Sequence, residues 1–169
     1  KVYMTKVDWN FIHTDKFTEA AQKLGWPAPA FKVDEFYDDN KPIEMGNMVF
    51  RTRLCPGHTP GTTSFFFDDK DEDGTVYKVG MHGGVGTPLI SHKMLDMFGL
   101  PYSLREEFID GCTAMLDYDV DICLASHANQ TNFLSGINEE NRSDFSQFVD
   151  KDLWKKFLLE RIDSMKHEP

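Results

Sequence analysis

Leu54-Cys55-Pro56-Gly57-His58-Thr59-Pro60-Gly61-Thr62-Thr63-Ser64 is the stretch from which the rest of the chain can be read. A hydrophobic strand runs into it and Phe65-Phe66-Phe67 runs out. His58 is held between Pro56-Gly57 and Pro60-Gly61, on a tight and stiff turn at a strand end. Glycine permits backbone angles closed to other residues and proline fixes φ. A side chain that must meet a metal ion within a few tenths of an ångström needs such a mounting.

The chain has 169 residues, enough for one domain with a real core and short for two. Its 40% apolar, 13% aromatic and 27% charged residues are globular values. A formal net charge of −10 argues against nucleic-acid and anionic-membrane partners, because both surfaces would repel it. No apolar run approaches the ~18 residues of a membrane span. The three cysteines, Cys55, Cys112 and Cys123, have neither metal-site spacing nor the even count of a disulfide framework. Cytoplasm is the default compartment, with a secreted or periplasmic location if an upstream signal was removed. The chain opens on Lys1-Val2-Tyr3-Met4, which reads as a strand with no signal peptide before it.

Lys6 to Ile12 reads as a helical turn and Lys16 to Leu24 as a helix, capped by Thr14 or Asp15 and stopped by Gly25. Phe31 to Tyr37 is expected to be extended. Pro42–Met45 and Met48–Leu54 flank the hairpin signal Gly46-Asn47. Thr62–Asp68 and Thr75–Met81 flank an acidic tip at 70–74, which lacks the spacing of a calcium loop. His82-Gly83-Gly84-Val85-Gly86-Thr87-Pro88 reads as a flexible connector. It is followed by Leu89–Phe98 and a helix over Ser103–Tyr118 with Leu104, Phe108, Cys112, Met115 and Leu116 on one face. Val120–Ala125 has the character of a buried strand, Asn138–Ser143 of a polar loop. Asp150–Lys166 is an amphipathic helix with Leu153, Phe157, Leu158 and Ile162 inward. Hairpins, helix, strand, helix is a layered α/β pattern. Neither a dinucleotide fingerprint nor a P-loop is present.

The six histidines are unequal. His58 sits on the stiff turn, and His127 ends the run Val120–Ser126 before the polar stretch 128–132. Strand ends facing a crevice are where such sheets place ligands. Each is a candidate metal ligand, with a hydrogen-bonded turn histidine as the plain alternative. Two histidines fall short of the three or four protein ligands of a zinc site. His82 ends the strand Thr75–Met81 and is a candidate for the rim of the site, or a histidine in a loose loop. His13, His92 and His167 suit solvent-facing roles. Cys55 suits a buried structural thiol better than a nucleophile, since no basic partner is implied.

Pro56-Gly57-His58-Thr59-Pro60-Gly61-Thr62-Thr63-Ser64 resembles the second zinc motif of the metallo-β-lactamase superfamily. The segment 39–50 resembles the hairpin leading into it, and 119–127 is similar to the strand delivering the family's last histidine. Lys1–Met4 resembles the strand that follows the family's first metal motif. The nearest flavour is the lactamase subclass whose sites use histidines and an aspartate without a metal-bound cysteine. The resemblance implies half of an αββα sandwich, a mixed sheet flanked by helices, with two zinc ions per complete site. His58 would bind the first ion and His127 the second.

The family's H-x-H-x-D-H motif does not occur in this sequence. Residues 1–169 are therefore expected to form a single domain equivalent to the carboxyl-terminal portion, lacking that motif. No carboxylate occupies the place of the bridging aspartate of the family's phosphodiester- and thioester-cleaving members, where Gly80-Met81-His82-Gly83-Gly84 stands. The implied function is a zinc-dependent hydrolase in which metal-bound hydroxide attacks an amide, lactone or ester carbonyl of a small molecule, a β-lactam among them. The isolated chain is expected to be inactive. A half sandwich is expected to expose one apolar sheet face, and so to form a homodimer or pair with an N-terminal half. The alternative is a non-catalytic domain of the same fold with a structural or partner-binding role.

Overall fold

The computed structural model describes residues 1–131, 137–141 and 143–167. Asn132 and Arg142, which fall in the expected polar stretches, lie outside the described residues. Strand β1 (Tyr3–Thr5) pairs in parallel with β2 (Glu35–Tyr37). The extended segment expected from Phe31 thus begins later, where the Val2 carbonyl accepts from the Asp34 N–H at 2.9 Å. Thr5 caps helix α1 (Lys6–Ile12), its Oγ1 accepting from the Asp8 N–H at 3.2 Å. Thr14, not Asp15, caps α2 (Asp15–Leu24), and Gly25 ends that helix at φ 71°.

A five-stranded sheet follows, in the order β3 (Ile43–Met45), β4 (Met48–Leu54), β5 (Thr63–Lys70), β6 (Val76–His82), β7 (Ile122–Ala125). The first three junctions are antiparallel and β6–β7 is parallel, so the sheet is mixed as expected. Between β6 and β7 the chain forms α3 (His92–Phe98) and α4 (Ser103–Ala114), and α5 (Leu153–His167) closes it. Helix α4 stops short of the expected Tyr118. Met115 caps it, and the Met115 carbonyl accepts from Trp154 Nε1–H at 2.9 Å.

Register assigns the two faces of the sheet. Phe66 pairs with Gly80, which places both on the side covered by α4 and α5. There Phe66 meets Trp154 edge-on with ring centroids 5.4 Å apart. Leu104, Phe108, Cys112, Met115, Trp154, Phe157, Leu158 and Ile162 are buried in the same cluster. Each large side chain buried there stabilises by roughly 1.5–3 kcal/mol relative to exposure. The opposite face carries Phe50, Phe65, Phe67, Met81 and Leu124, all half-buried. Phe50 and Phe67 meet across β4 and β5 as tilted rings with centroids 4.9 Å apart. One apolar face of the sheet is therefore incompletely covered. Among the described residues no helix is long and apolar enough to cross a membrane.

Candidate functional site

Strand direction gathers the histidines. β4 is antiparallel to β5, β5 to β6, and β6 is parallel to β7. The carboxyl ends of β4, β6 and β7 therefore lie at one edge of the sheet. His58 follows β4, His82 is the last residue of β6, and His127 stands two residues beyond β7. The acidic tip joining β5 to β6 lies at the opposite edge, which separates it from the site.

The turn carrying His58 is pressed between two helices. A Cβ at Gly57 would come 2.3 Å from Phe108 Cδ2 on α4, and one at Gly61 would come 2.6 Å from Asp8 Cγ on α1. Only glycine permits that approach on both sides. Within the turn the Gly57 N–H donates to the Thr59 carbonyl at 3.0 Å, and the Thr59 N–H to Thr62 Oγ1 at 2.8 Å.

The His58 ring lies against the segment that follows β6. A Cβ at Gly84 would meet His58 Cγ at 2.9 Å, and one at Gly86 would meet His58 Nδ1 at 2.8 Å. Val85 and Thr87, in the same segment, are buried. The expected flexible connector is thus a packed wall whose glycines make room for an imidazole. The sequence signal was present as two glycines just past a strand end, but nothing in the sequence named the ring they would receive. His58 Nδ1 is buried without a hydrogen-bond partner. Burial lowers the His58 pKa, the Gly86 backbone and the Asp8 carboxylate act in the opposite direction, and His127 adds to the lowering. The ring is held neutral near pH 7, the form that binds a metal.

His82 is a correction to the expectation of a rim residue. It has no exposed surface. Its Nδ1 accepts from the Gly84 N–H at 3.2 Å and its Nε2 lies 3.7 Å from Cys112 Sγ. Side-chain alternation along β6 turns it towards α4, into the core, and burial depresses its pKa to about 4. His127 is exposed, and its N–H donates to Gln130 Oε1 at 3.4 Å. Ser126 Oγ donates to the His82 carbonyl at 2.9 Å, tying the ends of β6 and β7 together. His13 and His92 are exposed, the first tilted against Trp9 and the second stacked on Tyr102. Cys55 is fully buried beside Ser64 Oγ at 3.1 Å, with its thiol pushed up to about 11, which leaves no thiolate nucleophile.

No protein-family model matches the sequence, and no curated protein matches it either. Solved structures do. The native metallo-β-lactamase FEZ-1 from Legionella gormanii superposes with a TM-score of 0.78 at 21% identity, over 99% of this chain and 64% of that one. The chain carries part of the metallo-β-lactamase fold. The metallo-β-lactamase GOB-18 from Elizabethkingia meningoseptica gives 0.77 at 23% identity, over 99% and 62% of the two chains. The class B3 di-zinc enzyme LRA-12 from an Alaskan soil metagenome gives 0.76 at 20%, over 99% and 63%. The chain thus spans less than two thirds of the length of the metallo-β-lactamases it matches.

A zinc site of this fold can be tested against the side chains present. His58, its ring fixed and its pKa lowered by burial, suits a ligand, and His127 stands near enough to add to that lowering. Among the described residues, however, no three His, Cys, Asp or Glu side chains converge as a metal-holding group. Two histidines alone fall short of the three or four protein ligands of a zinc site.

Proposed function

We propose that this chain supplies part of the active site of a zinc-dependent hydrolase acting on a small molecule with an amide, lactone or ester carbonyl, β-lactams among them. His58 is the ligand it offers to one ion and His127 the ligand it offers to a second, with the other ligands coming from residues outside the 169. Zinc, when bound, supplies Lewis acidity and an activated water. The chain's own residues lower the His58 pKa by burial, fix its ring and form one wall of the site. The observation that carries the reading is the seating of His58 between the turn and Gly84–Gly86, at the edge where three strand ends meet. The half-covered face bearing Phe65, Phe67, Met81 and Leu124 is where a second sheet, or a second copy, would pack.

The experiment is zinc content and hydrolysis of β-lactam, lactone and ester probes by the product of the whole reading frame that contains this chain, beside its His58→Ala variant. Bound zinc and turnover, both lost in the variant, are expected. A product without zinc would overturn the reading. It would favour a non-catalytic domain of the same fold.

A further inference from the structure

We propose that Asp8 is the positioning residue for His58, an inference that takes its functional meaning from His58 serving as a ligand. Asp8 lies in the first turn of α1, remote in sequence from the histidine. Its Oδ1 accepts from the Gly61 N–H at 2.7 Å, and its Oδ2 accepts from the Thr59 hydroxyl at 2.7 Å. The two oxygens therefore grip both ends of Thr59-Pro60-Gly61, and Thr59 is the residue bonded to His58. Pro60, between them, has no N–H to offer and a fixed φ, so a clamp at its two neighbours leaves the segment little freedom.

The clamp is itself anchored. Thr5 Oγ1 accepts from the Asp8 N–H at 3.2 Å as the cap of α1, and donates to the Gly61 carbonyl at 3.3 Å. Helix start and turn thus share one network.

The cost of this arrangement argues for its purpose. A partly buried carboxylate is unfavourable unless its oxygens are satisfied. Among the described residues no lysine or arginine pairs with Asp8. Its partners are instead two groups of the turn, and charge-assisted hydrogen bonds of this length are the strong kind. A ligand-bearing turn has to be held by its supporting groups before the ion arrives.

The test reads the His58 ring directly, in the metal-free chain, by nitrogen and carbon NMR of the imidazoles, with His58 assigned from its loss in His58→Gln. Asp8→Ala is expected to split or broaden the His58 signal and to speed hydrogen exchange at the Gly61 amide, leaving His13 and His167 unchanged. Asp8→Asn is expected to keep the His58 signal sharp, since its amide oxygen still accepts from Gly61 and its amide nitrogen can donate to Thr59 Oγ1. A folded Asp8→Ala chain with a wild-type His58 signal would overturn the proposal, even if its stability fell, because that is what a purely structural role predicts. Should Asp8→Ala fail to fold, Thr59→Val removes the hydroxyl that donates to Asp8, together with its contact to Thr62 Oγ1. A shifted His58 signal is then expected, and an unchanged one overturns the proposal. The readout needs no zinc, so a chain that takes up no metal would sink the hydrolase reading and leave this result standing.

Discussion

Gly86 faces the His58 ring so closely that a Cβ on it would lie 2.8 Å from Nδ1. The backbone of Gly86 has φ −76°, which any L-residue adopts. Gly86→Ala therefore strains no torsion and gains about 0.4–1 kcal/mol from a less flexible unfolded chain. The added methyl must instead displace the imidazole. Gly86→Ala is expected to leave the melting temperature within a few degrees of the parent while moving the His58 ring signals in the NMR spectrum. Unmoved signals would show that the ring is not seated by this segment.

His82 makes the fold sensitive to mild acid. Its pKa falls from the ordinary 6.5 to about 4 because burial penalises the imidazolium. The unfolded chain binds the proton more tightly, so the stabilisation is complete above pH 6.5 and is lost as pH falls towards 4. The full swing is about 3 kcal/mol. Urea unfolding across that window should show it, and His82→Asn, which can still accept from the Gly84 N–H, should flatten it. An unchanged slope in the variant would assign the pH dependence elsewhere.

Asp121 acts at lower pH. Its Oδ2 accepts from the Lys78 N–H at 2.9 Å, its own N–H donates to the Lys78 carbonyl at 2.8 Å, and Lys151 Nζ stands 3.2 Å from Oδ1. The Lys78 backbone bond, with Lys151, holds its carboxyl below the usual range. Its contribution is present above the ordinary carboxylate pKa and is lost as pH falls through the lowered value. Asp121→Ala should cost about 1–2 kcal/mol at pH 7 and progressively less below pH ~4. A cost that stays constant with pH would show that the carboxylate charge has no part in it.

The three cysteines should be silent. Cys55, Cys112 and Cys123 are buried, and burial pushes their thiols up to about 11, 12 and 12. A chromogenic disulfide reagent at pH 8 is expected to find no reactive thiol in the folded chain and all three in denaturant. Rapid reaction of any one in the folded state would mean that its part of the core opens.

The sheet was legible because its signals were local. Gly46-Asn47 marked one hairpin, the acidic tip another, and the apolar run at 120–125 marked β7. The helix faces were legible as periodicity, although Trp154 and Met165, buried on α5, were missed by a pattern that began from Leu153. The places of His58 and His127 just past strand ends were legible from the apolar runs before them. His82 was misjudged because being the last residue of a strand does not say which face the side chain takes. That depended on the register Phe66–Gly80, which fixes the parity of β6. Asp8 gave no signal at all, because its partners Thr59 and Gly61 lie far along the chain and meet it only when α1 packs on the turn.

Zinc titration followed at the individual histidine signals tests the proposed shared ligand role of His58 and His127 most directly. Those two should move together, with His82 unmoved, and His58→Ala should weaken the response of His127. If His127 responds as strongly without His58, or if neither responds while His13, His92 or His167 does, the two do not form part of one metal site.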